Sequence, residues 1–216
     1  SFSVHPRRGE YMLLDKECGQ TTACTIFHTP TKMGKGVLVS PTVHGNLIVG
    51  PTATDMEDKT DTATTSEGFA DIRAKAGDNV ANIPYGKVIT SFCGLRSVGS
   101  TGDFIIKAEN NAVILGGIES PGLSSSPAIG VMVADIVNGI LNLEENPNFV
   151  GTRKGILDPK ELPFEERAAL IKENPAYGTI ICRCESITEG EIIDAIHRVP
   201  GARSIDGVKR RTRAGM

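Results

Sequence analysis

Gly116-Gly117-Ile118-Glu119-Ser120-Pro121-Gly122-Leu123-Ser124-Ser125-Ser126-Pro127-Ala128-Ile129-Gly130 is the stretch on which the reading of this chain turns. A short apolar run, Ala112 to Leu115, leads into it, and a long apolar-periodic run, Ala128 to Leu141, leads out. The pattern predicts a strand, a tight glycine turn and a helix. The first N–H groups of a helix have no partner inside it, and the helix dipole adds to their pull, so such a turn favours negative charge. Three serines precede Pro127, and Pro suits a first helical turn. The helix is apolar on most of its surface, which predicts burial. Glycine turns between a strand and a helix also serve plain chain reversal, so composition alone leaves that reading open beside a cofactor-contacting one.

Bulk composition narrows the class. The chain has 216 residues, enough for one large domain or a medium one with a small companion. Hydrophobic residues make up 39% and charged residues 23%, the balance of an ordinary globular protein. A net charge of −3 argues against a general nucleic-acid binder. The basic run Lys209-Arg210-Arg211-Thr212-Arg213 therefore reads as a solvated face. No apolar run reaches the roughly 20 residues of a bilayer span, and no secretory signal opens the chain, so we expect no transmembrane segment. The five cysteines are odd in number, which disfavours a disulfide framework. Together these predict a cytoplasmic protein, peripheral to the inner membrane at most.

Outward from the turn, residues 1–58 read as β-rich. Gly9 to Leu14, Ala23 to His28, Gly36 to Val39 and Asn46 to Val49 are short apolar or β-branched runs, punctuated by Gly19, Pro30, Gly34, Pro41, Gly45 and Pro51. Their spacing predicts an antiparallel meander. Residues 64–77 read as a helix that Thr65 or Ser66 can cap and Gly77 can end. Val88 to Val98 is the longest strand candidate, and Phe104 to Ala108 with Ala112 to Leu115 reads as a hairpin. A polar connection, Asn142 to Arg153, precedes a helix over Phe164 to Lys172. Thr188 to His197 carries a capping box between Thr188 and Glu191.

Chemical candidates are few. Cys182 and Cys184 form C-x-C, and two thiolates in an extended segment would point to one side, as iron–sulfur or zinc ligation requires. Two ligands do not complete a site, and a pair of free thiols is the plain alternative. Arg96 lies in an apolar strand, where it needs an anion: a substrate group or a neighbouring carboxylate. Tyr11 either faces a pocket or packs half-buried. His28 and His44 are weak candidates for a general base. No G-x-G-x-x-G dinucleotide motif occurs, which reads as a piece of a longer protein.

Gly116 to Gly130, taken with Cys93-Gly94-Leu95-Arg96, Pro6-Arg7-Arg8-Gly9-Glu10-Tyr11 and Gly45-Asn46-Leu47-Ile48-Val49-Gly50-Pro51-Thr52, resembles the D-amino-acid oxidase-like superfamily of FAD-dependent oxidoreductases. The nearest types are the glycerol-3-phosphate and L-2-hydroxyglutarate dehydrogenases. Ile181-Cys182-Arg183-Cys184-Glu185 and Val208 to Met216 resemble the bacterioferritin-associated-ferredoxin-like [2Fe-2S] domain appended to some relatives.

The resemblance implies an α+β fold: an antiparallel-rich sheet with flanking helices and a small, partly helical C-terminal module. Residues 1–146 would form the substrate-binding part and the last part of the FAD-binding domain, 147–178 a linker with a helix, and 179–216 the start of the [2Fe-2S] domain. It further implies that Gly117, Pro121, Gly122 and Leu123 sit against the flavin, Arg96 holds the anionic group of a small hydroxy substrate, and Tyr11 faces that substrate. Cys182 and Cys184 would be half of a cluster's ligands, with electrons passing to a quinone or partner subunit. The expected reaction is glycerol 3-phosphate oxidation by hydride transfer to FAD. Ile118 stands where some of those enzymes have Lys, and Ser-Pro-Gly-Leu looks more like the hydroxyglutarate enzymes, so an L-2-hydroxy acid is the alternative substrate. A non-catalytic scaffold or electron-transfer module is the alternative of another class. A chain without its flavin-domain partner is expected to self-associate.

Overall fold

The fold is given by a computed structural model that describes residues 1–30 and 36–216. Gly34, one of the expected turn markers, lies outside the described residues. The chain divides into two compact units, Ser1–Glu144 and Glu145–Met216.

The first unit is built on one long strand, β1 (Val4–Leu14). Its side chains alternate: Pro6, Arg8, Glu10, Met12 and Leu14 are buried, while Arg7, Gly9 and Tyr11 turn to the other face. Three short strands, β2 (Ile26–Phe27), β3 (Leu38–Pro41) and β4 (Leu47–Gly50), pair in chain order, and β4 returns onto Met12–Leu14 of β1. β5 (Thr54–Asp55) pairs with Arg7 and Arg8. The expected meander thus forms only over β2 to β4. The first strand sits inside the sheet because β6 (Val88–Gly99) pairs with it over its whole length.

A single helix, α1 (Ser66–Gly77), packs on β1 and β4 and closes the core. Met12, Leu14, Val39, Leu47, Val49, Ile72 and Ala76 are all essentially inaccessible there. Each large aliphatic chain so buried stabilises the fold by about 1.5–3 kcal/mol. Thr65 caps α1, its hydroxyl accepting from the Gly68 amide at 3.0 Å. Glu10, 1% exposed, reaches the same helix end, where its carboxylate accepts from the Thr65 amide and hydroxyl and from the Thr52 hydroxyl. A buried carboxylate is tolerated because these donors and the helix dipole replace water.

The hairpin forms as expected from β7 (Ile105–Glu109) and β8 (Ala112–Gly116). It leads into α2 (Gly122–Leu141). Two expectations for α2 fail. The helix is not buried: Leu123, Val131, Met132, Ile140 and Leu141 are exposed. Its periodicity reports what the helix can bury, and nothing described in this unit covers it. Its 20 residues are also long and apolar enough for a bilayer span by length and composition, contrary to the expectation that no segment is.

In the second unit, α3 (Phe164–Glu173) leads to the short pair β9 (Ile180–Cys182) and β10 (Ile187–Thr188). α4 (Glu189–His197) follows, with the capping box between Thr188 and Glu191 formed and buried. The Tyr177 ring sits against Gly190, where a Cβ would lie 2.7 Å from it. The basic run near the C-terminus is helical, α5 (Ile205–Thr212), with Ser204 as its cap.

Candidate functional site

The pairing of β1 with β6 sets the geometry. Arg7 stands opposite Arg96, Gly9 opposite Gly94, and Tyr11 opposite Phe92. These pairs share the face turned away from α1. Two glycines in register leave a side-chain-free floor between an arginine pair and an aromatic pair. The result is a cavity of about 210 Å³ lined by Arg7, Gly9, Tyr11, Thr52, Gly94 and Arg96, among others. A Cβ at Gly94 would meet nothing within 4 Å.

Both arginines are held by carboxylates. Arg7 Nε and Nη2 donate to Asp55 at 2.6 and 3.2 Å, which holds the Asp55 carboxyl below its ordinary pKa. Arg96 Nη1 donates to Glu119 Oε2 at 3.3 Å. So Arg96 does reach a carboxylate, and that carboxylate belongs to the glycine turn. Tyr11 is half-buried, stacked on Phe92 with ring centroids 5.1 Å apart. Burial pushes its hydroxyl pKa up, and the nearby Arg96 charge opposes this. Tyr11 and Arg96 therefore meet in one cavity, which neither His28 nor His44 lines.

The turn comes close to this strand pair. Gly117 has φ +59°, and a Cβ on it would sit 2.8 Å from the Gly99 Cα, so only glycine lets β8 and β6 approach here. No serine caps α2: Pro121 is the cap residue and offers no side-chain bond. The Gly122 amide donates to the Glu119 carbonyl, and the next two amides, of Leu123 and Ser124, find no acceptor among the described residues and are left for another one. Gly122 opens the helix beneath the Ile118 side chain, and Leu123 is 91% exposed. Pro127 lies beyond the first turn, contrary to expectation. It lacks the amide that would bond the Leu123 carbonyl, and the Ser126 hydroxyl donates to that carbonyl instead, at 2.7 Å.

The second candidate centre is Cys182 and Cys184. The extended geometry expected for the pair ends at Cys182, and Cys184 falls in the turn that follows. That turn brings amides round the sulfur. The Gly215 amide donates to Cys182 Sγ at 3.4 Å and, with the amides of Glu185 and Cys184, holds the thiol below its ordinary pKa.

Comparison with known proteins places this architecture. The profile of the family "FAD dependent oxidoreductase" matches residues 1–136, more than half of the chain and most of α2. The chain belongs to the FAD-dependent oxidoreductase family. A second profile, "BFD-like [2Fe-2S] binding domain", matches residues 180–216.

A glycerol 3-phosphate dehydrogenase of Caloramator mitchellensis is 51% identical over the whole chain, which spans 46% of that relative. A glycerol 3-phosphate oxidase of Mycoplasma pneumoniae is 36% identical over 69% of this chain and 40% of its own. The chain thus spans under half the length of these curated relatives. Among solved structures, the dithionite-reduced L-alpha-glycerophosphate oxidase of Mycoplasma pneumoniae with FAD bound superposes with a TM-score of 0.55 at 32% identity, over 68% of this chain and 39% of that one.

The FAD-dependent fold suits what the turn offers: uncapped helix amides, glycines that let a planar group approach, and one exposed apolar residue. For a [2Fe-2S] cluster the described residues supply two thiols, and no group of three or more His, Cys, Asp or Glu among them could hold a metal. That is half of a four-thiolate set. Sequence reasoning missed Arg7, Gly9 and Glu119. The parity of β1 carried a signal for two of them, since Arg7, Gly9 and Tyr11 alternate onto one face.

Proposed function

We propose that this chain forms the substrate half of a dehydrogenase that oxidises glycerol 3-phosphate, with FAD as hydride acceptor. The observation that carries this reading is the Arg7–Arg96 pair at one end of a glycine floor. Two guanidiniums on adjacent strands suit a phosphate dianion, which offers enough oxygens for both. The names of the two relatives support the same substrate class.

In this reading Arg96 binds the phosphoryl group and releases Glu119 as it does so. Arg7 adds a second positive charge from the opposite strand. Tyr11, fixed by its stack on Phe92, walls the cavity and orients the carbon chain. Gly117, Pro121, Gly122 and Leu123 lie against the cofactor, and the uncapped amides of α2 favour negative charge on it. FAD held there would supply a two-electron acceptor for hydride from the hydroxyl-bearing carbon. Cys182 and Cys184 contribute two cluster ligands on the electron route to a quinone or partner subunit. The protein works in the cytoplasm, at the membrane surface where the acceptor is a quinone.

The test is anaerobic flavin reduction in the full-length parent. Bleaching of the flavin absorbance by glycerol 3-phosphate and not by L-2-hydroxyglutarate is expected. The reverse pattern moves the assignment to 2-hydroxy acids, and no bleaching by either favours a scaffold or electron-transfer role.

A further inference from the structure

The second unit contains a cavity that the flavoprotein chemistry does not use. It has a volume of about 250 Å³ and is lined by Arg153, Lys154, Gly155, Arg198, Pro200 and Arg211. Four of these six residues are cations. We propose that this cavity is a binding site for a phosphate dianion, either free or as the end group of a phosphomonoester.

The arginines are fixed by backbone carbonyls instead of by carboxylates. Arg153 donates to the Val199 carbonyl, and Arg198 donates back to the Lys154 carbonyl. This reciprocal strap pins the 153–155 segment to the loop after α4. Arg211 donates to the carbonyls of Gly207, at 3.1 Å, and Pro200, at 3.4 Å. A guanidinium carries five N–H donors, so each of these keeps donors to spare while its direction is already set. Binding then loses little side-chain freedom.

Charge points the same way. Among the described residues no carboxylate lies within ion-pair distance of Arg153, Lys154 or Arg211, and Arg198 has only Asp194, 3.9 Å away. Charged side chains around one cavity repel each other unless an anion joins them. Gly155 adds no side chain to the wall, and a Cβ there would meet nothing within 4 Å. The space admits a tetrahedral oxyanion with water around it. Among the described residues the Lys154 ammonium has no hydrogen-bond partner, so it is the donor most available to a ligand.

The test is amide NMR on the full chain, titrated with inorganic phosphate against chloride at constant ionic strength. Saturable shifts at Lys154, Gly155 and Gly201 are expected. Lys154→Gln, which leaves both straps intact, should weaken binding several-fold, and Arg153→Gln should abolish it. An Arg96→Ala chain should keep the same shifts, which separates this cavity from the one in the first unit. Glycerol 3-phosphate in place of phosphate distinguishes an ester from the free ion: tighter binding at the same amides identifies the ester. Shifts that never saturate, that chloride reproduces, or that Lys154→Gln leaves unchanged would overturn the proposal.

Discussion

Arg96 and Glu119 form an ion pair at 3.3 Å that ties the strand paired with β1 to the turn opening α2. The arginine proposed to take the substrate's phosphoryl group is therefore already partnered by a carboxylate of the cofactor turn. Glu119→Gln should free Arg96 and lower the KM for glycerol 3-phosphate in the full-length parent, by about two- to fivefold for so exposed a pair. Arg96→Ala should raise that KM on the order of tenfold or more, the scale of a lost charge-assisted hydrogen bond. Steady-state kinetics of both variants check this, and an unchanged KM in Glu119→Gln would remove the competition.

Gly94→Val separates folding from binding. A Cβ there meets nothing within 4 Å among the described residues, and the valine methyls would occupy the floor of the cavity. Denaturant unfolding should stay within about 0.5 kcal/mol of the parent, while substrate-dependent flavin reduction should be lost. A variant that binds normally would show that the cavity is not the substrate site.

Gly68→Ala should behave in the opposite way. A Cβ at this position would lie 1.9 Å from Glu10 Oε2, inside the buried carboxylate that holds the start of α1. The carboxylate must leave its donors, so urea unfolding should show a loss of about 2–3 kcal/mol. No change would mean that Glu10 has another buried position open to it.

The Cys182 thiol gives a pH signature. Three backbone amides favour its thiolate, Gly215 foremost, so its pKa in the fold lies below that of the unfolded chain. Cys93 is shifted upward by burial. Alkylation near neutral pH, read by mass spectrometry, should label Cys182 before Cys93, and urea should move the Cys182 midpoint upward. The associated stability is present above the ordinary thiol pKa and is lost as pH falls through the folded value. Equal labelling rates would contradict this.

The exposed apolar face of α2 predicts self-association of the chain. Light scattering should show species larger than one chain, and Val131→Ser with Met132→Lys should shift them toward the monomer. A monodisperse monomer without these changes would refute the prediction.

Strands and helices were largely legible because parity and capping are local. Thr188 with Glu191, Thr65 before its helix, and the hairpin across Asn110 all formed where the pattern put them. What pairs with what was not legible. The register that sets Gly9 against Gly94 and Arg7 against Arg96 depends on which edge of β1 the later strand takes, and no single segment encodes that. The burial of α2 was misread because a periodic face states a requirement, and here nothing described meets it. The Cys182 environment depends on Gly215, 33 residues away along the chain.

The alternation along β1 has a consequence for how such an enzyme can change. Glu10, Met12 and Leu14 point into the core, Arg7, Gly9 and Tyr11 point toward the cavity, and Arg8, buried and paired with Asp61, borders the cavity as well. One strand thus carries two alphabets, interleaved letter by letter, with Arg8 the one letter they share. Substitutions in one alter how firmly the protein holds together, and substitutions in the other alter the shape and charge of the cavity. An inserted or deleted residue is the one kind of change that scrambles both at once. Along this strand the cavity can be rewritten freely by point substitution and hardly at all by changes in length.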